Sequence, residues 1–347
     1  MPWTKLLIDK REPGFDDCQH KNTRRLKFAE AIKEALDLAL EYDKRVFVMG
    51  QGIDDPSGMF GSTLDLHKKY GRRRVFDTPL SENGLTGIAV GAAITGMRPV
   101  YIHNRPDFLL LAMDQIANHA AKWSFMFGGH ANVPLVIRAV IGRGWGSAAQ
   151  HSQALHGLFM HIPGLRLVMP STAYDAKGLL LASIADNNPV IFIEHRWLYK
   201  HSGSVPEKIY SIPFGKGLVR RRGKDITVVA ISYMVIEALR AAEKLEKEGY
   251  DIEIIDLRTL SPLDEKIILK SVKKTGRLLV ADTDWVTAGA TAEIAALVAE
   301  KGFRYLKAPV RRIGWPHIPV PSSYVLEEEF YPGVKNIIKA VKEVVKK

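Results

Sequence analysis

A single cysteine, Cys18, among 347 residues excludes a disulfide framework, a zinc ribbon and a CxxC redox pair. No apolar run approaches the ~18–20 residues that a membrane-spanning helix requires, and the opening MPWTKLLIDKREPGFDDCQH lacks a secretion-signal core. A soluble, cytoplasmic protein is the expectation. Neither a GxGxxG after a strand nor a GxxxxGK[ST] occurs, which excludes both familiar phosphate-binding glycine loops. The nucleophile elbow GxSxG is missing as well, and histidines and carboxylates do not gather at metal-ligand spacing. Chemistry, if there is any, is expected to come from a bound cofactor.

What is present is an ordinary globular composition, 46% hydrophobic and 25% charged, with a formal charge of +11. The positive charge is spread along the chain, with short runs only at Arg72–Arg74 and Arg220–Arg222. No zinc finger or RNA-recognition motif accompanies it, so a solvated basic surface is the first reading and a nucleic-acid or other polyanionic partner the second.

The apolar pattern alternates between strand-like and helix-like spacing. Residues 1–22 are polar and irregular and read as an arm. Leu26 to Leu40 has helical periodicity, and Arg45–Met49 and Val75–Asp77 read as strands. A helix of small residues is expected from Gly84 to Thr95, a strand at Pro99–Ile102, a long helix over Asp107–Phe127 and a buried strand over Pro134–Ile141. Leu165–Met169, the helix Ala173–Asp186 and Val190–Glu194 complete a further strand–helix–strand unit. Residues 196–213 read as a linker, and a second series follows in 214–347, ending in an amphipathic helix over Val334–Val345. Alternation of this kind predicts an α/β protein of two domains, each a mostly parallel sheet covered by helices.

Two stretches stand out. In DTPLSENGLTGIAVGAAITGMRP, Glu82 precedes a helix whose Gly84, Gly87, Gly91 and Gly96 leave little side-chain bulk. Each glycine costs a helix about 1 kcal/mol relative to alanine. Close approach by another backbone would offset that cost; a tight packing helix behind a solvated glutamate is the plainer reading. In GRGWGSAAQHSQ, residues 142–153, glycines permit sharp turns, and Gln150, His151, Ser152 and Gln153 follow a predicted buried strand. Ligands of open α/β sheets bind at that end of the strands. His151 is either a structural or a catalytic histidine.

DTPLSENGLTGIAVGAA, MDQIANHAAK, VPLVIR, QHSQ, HIPGLRLVMPSTAYDAKGLL, DNNPVIFIEH and IDLRTLSPLD together resemble the beta subunit of the thiamine-diphosphate-dependent 2-oxo acid dehydrogenases. The likeness runs from Leu26 to Tyr331 and extends to transketolases. It implies a transketolase-like pyrimidine-binding domain at 23–195 and a transketolase C-terminal-like domain at 214–347. It also implies oxidative decarboxylation of a 2-oxo acid, pyruvate-like or branched-chain, with acyl transfer to a lipoyl group. Glu82 matches the glutamate that exchanges a proton with the cofactor's aminopyrimidine, Phe108 the aromatic that stacks on that ring, and His151 the histidine beside the substrate.

The family's GDG motif, which holds the diphosphate and magnesium, is absent here. The resemblance therefore implies an alpha subunit that carries it, in an α2β2-type assembly with no membrane attachment. It further implies potassium held by backbone oxygens of Leu135, Ser183, Asp186 and Asn188. Gln51 stands where family members commonly have glutamate, at the edge of the cofactor site. Arg143, Trp145 and the His103–Arg105 segment also depart from the usual pattern. The basic end KAVKEVVKK suits a lipoyl acyltransferase partner poorly. A two-chain transketolase-like or acyloin-forming synthase and a catalytically silent scaffold subunit are the alternatives.

Overall fold

The computed structural model describes residues 24–142 and 146–345. The arm at 1–22, with Cys18, and the loop residues Arg143 and Trp145 lie outside the described residues. The rest falls into two units, one of residues 24–141 and 159–214, the other of 142, 146–158 and 215–345.

The first unit begins with β1 (Arg25–Lys27), which pairs antiparallel with β8 (Ser202–Ser204). Helix α1 (Phe28–Tyr42) follows at once; its Phe28, Ile32, Leu36 and Leu40 recur at helical spacing and are buried. Then come β2 (Val46–Gly50), α2 (Leu66–Tyr70), β3 (Val75–Asp77), α3 (Glu82–Ile94) and β4 (Arg98–His103). The long helix expected from Asp107 is a continuous helical segment of three kinds. It runs as a 3-10 helix over Pro106–Ala112, a π-helix over Asp114–Ala120 and α4 over Ala121–Met126. Apolar periodicity marks such a segment without fixing which carbonyl each amide reaches.

After β5 (Val136–Ile141) the chain passes through α5 (His156–Met160), whose first three residues belong to the second unit, and the first unit closes with β6 (Arg166–Val168), α6 (Ala173–Ala185) and β7 (Val190–His195). Its strands form a parallel sheet in the order β6-β7-β5-β4-β2-β3. Strands β4, β5 and β7 are buried throughout, as parallel strands covered on both faces are. Each Val, Ile or Leu side chain so buried contributes about 1.5–3 kcal/mol. Residues 196–213, read from sequence as a linker, contain β8 and Tyr210, whose ring stacks on Tyr174 with centroids 4.5 Å apart.

The second unit contains β9 (Leu218–Arg221), β10 (Ile226–Ala230), α7 (Met234–Glu246), β11 (Ile252–Asp256), β12 (Thr259–Ser261), α8 (Glu265–Thr275) and β13 (Leu278–Trp285). It ends with α9 (Ala290–Gly302), β14 (Arg311–Trp315), α10 (Tyr324–Phe330) and α11 (Val334–Val345). Its sheet runs β14-β13-β10-β11-β9, parallel except for β9. Asp264 accepts a hydrogen bond from the Ile267 amide to start α8, and Gly276, at φ 72°, ends it. Ile337, Ala340, Val341 and Val345 of α11 join the core built on β10 and α7.

Candidate active site

The parallel order β3-β2-β4 brings three strand ends together in the first unit. Gly50 ends β2 where a side chain has no room: a Cβ there would lie 2.2 Å from the Ile102 carbonyl oxygen. The next residue is Gln51. Asp77, ending β3, accepts from the Ile53 amide at 3.0 Å, and the Thr78 amide donates to the Gly50 carbonyl at 3.0 Å. These bonds tie the loop after β2 to the turn that leads into α3.

Glu82 is the first residue of α3. Gln51 Nε2 donates to Glu82 Oε1 at 2.9 Å, and both side chains are buried. One carboxylate oxygen is thereby fixed by a neutral amide donor. Replacing Gln51 with Glu removes that donor and sets a second carboxyl against the first. Two such groups in one dry site cannot both ionise freely, so one holds a proton. The Gln51→Glu chain should therefore melt lower than the parent at pH 8 and recover towards it at pH 5, where the shared proton is retained. Thermal scans at the two pH values check this, and identical melting at both would count against it.

Tyr101 and His103 project from the same face of β4, their ring centroids 4.1 Å apart. Burial pushes the Tyr101 hydroxyl up to about 12, and the charge of Glu82 adds to the shift. The phenol therefore remains a proton donor. Burial alone lowers His103 to about 3, which keeps its imidazole neutral. Neither ring nitrogen of His103 has a hydrogen-bond partner among the described residues, nor does the buried Thr86 hydroxyl on α3. Buried polar atoms left this way mark a place where a ligand or water completes the bonding.

Phe108 lies half-buried on the 3-10 helix, which packs against α3. Gly87 of α3 faces the Gln115 side chain of the π-helix, with Oε1 3.3 Å from a Cβ at that position. The glycine-rich helix is thus accounted for in part by a close helix neighbour. At Gly91 an added Cβ would meet nothing within 4 Å.

His151 belongs to the second unit, in an exposed loop whose Ala148 has φ 59°. The sequence reading passed over His156, five residues further on. Its Nε2 lies 2.7 Å from Asp282 Oδ2 and 3.6 Å from Asp284 Oδ2, with all three side chains buried. Burial opposes a proton on His156, but the two carboxylates and the Asp282 hydrogen bond outweigh it and raise the pKa to about 9. Asp282 and Asp284 are two apart on β13 and so share a face, which was the available sequence signal.

The four potassium candidates lie in the first unit. The Leu135 carbonyl accepts from the Val190 amide at 2.9 Å. Ser183 stands in the last turn of α6, and Asp186 follows that helix, its Oδ1 accepting from Asn188. The Asp186 carbonyl accepts from Arg98 Nη1 at 2.9 Å. A carbonyl oxygen has two lone pairs, so one of these contacts leaves room for a cation. No cluster of His, Cys, Asp and Glu fit to hold a metal occurs among the described residues, and no helix there is long and apolar enough to cross a membrane.

Residues 24–202 match the family model for the transketolase pyrimidine-binding domain, and residues 215–337 that for the transketolase C-terminal domain. The chain is 44% identical over 333 residues to the beta subunit of acetoin:2,6-dichlorophenolindophenol oxidoreductase of Bacillus subtilis, covering 92% of this chain and 97% of that one. It is 42% identical to the pyruvate dehydrogenase E1 component subunit beta of Rickettsia felis, covering 91% and 97%. It is 39% identical to the 2-oxoisovalerate dehydrogenase subunit beta of Bacillus subtilis, covering 92% and 98%. Among solved structures, a split-gene transketolase described as an inactive beta4 tetramer superposes with a TM-score of 0.75 at 22% identity. It covers 92% of this chain and 98% of that one, a likeness of fold.

Proposed function

The chain belongs to the family of 2-oxo acid and acetoin dehydrogenase beta subunits, built from transketolase pyrimidine-binding and C-terminal domains, and from that premise we propose a heteromeric, thiamine-diphosphate-dependent enzyme of which it is the beta subunit. Its reaction is the decarboxylation of a 2-oxo acid, with acyl transfer to a lipoyl acceptor, in the cytoplasm. Bound thiamine diphosphate supplies a carbon nucleophile for the substrate carbonyl and an electron sink for the bond that breaks. The observation that supports this reading most is the buried Gln51–Glu82 hydrogen bond beside the strand ends, a fixed carboxyl suited to proton exchange with a heterocycle.

In this reading Glu82 holds and moves the proton at a ring nitrogen, and Gln51 orients its carboxyl. Phe108 offers a stacking face, and the neutral His103 supplies a hydrogen-bonding edge. His151 hydrogen-bonds the substrate and moves protons during acyl transfer. The diphosphate and magnesium belong to an alpha subunit carrying GDG, in an α2β2-type assembly. Potassium on the carbonyls of Leu135, Ser183, Asp186 and Asn188 would brace the loop after α6.

Dye-linked oxidation by this chain coexpressed with such an alpha subunit, assayed over pyruvate, branched-chain 2-oxo acids and acetoin, tests the proposal. Turnover of a 2-oxo acid by the pair and by neither chain alone is the expected result. Turnover by this chain alone, or of no substrate by the pair, would refute it. Two acetoin:2,6-dichlorophenolindophenol oxidoreductase beta subunits at 44% and 46% identity favour a second reading, oxidation of acetoin, which the same assay separates.

A further inference from the structure

The second unit holds a buried charge cluster for which the proposed chemistry has no use. His156 is fully buried, as is Asp282, and Asp284 is nearly so. A carboxylate only accepts, so the 2.7 Å contact has the His156 Nε2–H donating to Asp282 Oδ2. Asp284 Oδ2 lies 3.6 Å from the same nitrogen and also accepts from the Gly157 amide at 3.2 Å. The two aspartates are held in turn: Thr283 N–H donates to Asp282 Oδ1 and Trp285 N–H to Asp284 Oδ1, each at 2.7 Å.

The backbone is equally close here. A Cβ on Gly157 would lie 3.1 Å from the Gly289 Cα and 3.4 Å from the Ala288 carbonyl oxygen. At the other end of the loop, Gly146 has φ 63°, and a Cβ on it would come within 2.9 Å of the Ser322 carbonyl oxygen. The stretch between, which bears His151, is irregular and partly exposed. It is therefore a short span docked at both ends on one unit, with a buried ion-paired histidine at its C-terminal end.

On the strength of that geometry, and resting on the role given to His151 above, we propose that His156 is a positioning residue which, through Asp282 and Asp284, fixes the loop carrying His151. Burying three ionisable groups is costly unless they pair, so the cluster holds one arrangement and resists partial displacement. Removing the imidazole leaves two adjacent carboxylates unpaired and frees the start of α5.

The test compares His156→Leu, which deletes the donor, with His156→Gln, which keeps an N–H for Asp282. Amide exchange across residues 147–158 of the full chain is expected to speed up about tenfold in His156→Leu, with the rest of the unit unchanged. In the complex with the alpha subunit, kcat should fall about 10- to 100-fold, because small misplacements near reacting atoms carry large rate losses. Thiamine diphosphate affinity should stay at the parent value, and His156→Gln should recover most of both losses.

Should His156→Leu not fold, Asp284→Asn, which keeps an acceptor for Gly157, should show the same changes to a smaller degree. Parent-like exchange and kcat in a folded variant would overturn the proposal, and so would kcat and cofactor affinity falling in equal proportion. Exchange is read whether or not the complex turns over. If the parent complex binds no thiamine diphosphate while His156 still governs exchange, the anchor stands and the proposed function fails.

Discussion

Replacing Glu82 with Gln is expected to lower turnover of a 2-oxo acid by the assembled enzyme about 100- to 10,000-fold, the range that a positioned proton-transfer group commonly supplies. The substitution isolates the proton. Glutamine has the size of glutamate, and its carbonyl oxygen can still accept from Gln51 Nε2, so the buried contact that shapes the loop survives. What is lost is the ability to exchange a proton with a ring nitrogen. Alanine would be a poorer probe, because it leaves the Gln51 amide buried without an acceptor at a cost of about 1–3 kcal/mol. Steady-state rates and calorimetric cofactor binding by the coexpressed pair check this. The expected pattern is a collapsed kcat with cofactor affinity changed far less. A Glu82→Gln enzyme within about threefold of the parent would remove the carboxyl from the proposed chemistry.

Glu82 stood out in the sequence as the residue before a glycine-rich helix, and the family resemblance around it is what suggested a role for its carboxyl. Its partner was legible only as a departure from that resemblance, an amide at position 51 where glutamate is common. The hydrogen bond between them was not, because it depends on β2 standing between β3 and β4, an ordering that local patterns do not encode. Strands such as Val136–Ile141 and helices such as Val334–Val345 were readable because their apolar residues recur with the period of the element. By contrast, β1 and β8 are three residues each, RLK and SGS, held by pairing with one another across most of the first unit. No window of sequence contains both.

The change from 3-10 to π to α hydrogen bonding after Pro106 escaped for a related reason: each kind lasts only 6 or 7 residues, about two turns, too short a run for apolar spacing to separate their periods. His156 escaped because its hydrogen-bond partner Asp282 is 126 residues away on β13. The lesson is physical. Elements that bury a periodic face declare themselves locally, whereas side-chain pairs that depend on sheet order do not.

Arg138 makes the same point with a larger energy. It sits in the middle of β5, an arginine among Val, Ile and Ala, and is fully buried. Its Nε meets Glu194 Oε1 at 2.5 Å and its Nη2 meets Glu194 Oε2 at 2.9 Å, a bidentate pair across neighbouring strands. Nη2 also donates to the Ser62 hydroxyl at 3.0 Å, and the Tyr199 hydroxyl donates to Glu194 Oε2 at 2.6 Å. Burial, reinforced by the Glu194 charge, raises the Tyr199 hydroxyl well above its ordinary value, so it stays a donor.

Arg138→Met leaves Glu194 buried without its cation, and removal of one member of such a pair costs about 3–5 kcal/mol. For a unit of this size each kcal/mol lowers the melting temperature by about 2–4 °C, so a fall of about 10 °C is expected in calorimetry. The double variant Arg138→Met with Glu194→Leu removes both charges, and an apolar pair of similar volume is often tolerated. It should melt above the single variant, because the expense lies in the abandoned charge rather than in the lost bond. If the double variant melted at or below Arg138→Met, the two residues would be stabilising the sheet chiefly through packing, and the pair would have no electrostatic claim on the fold.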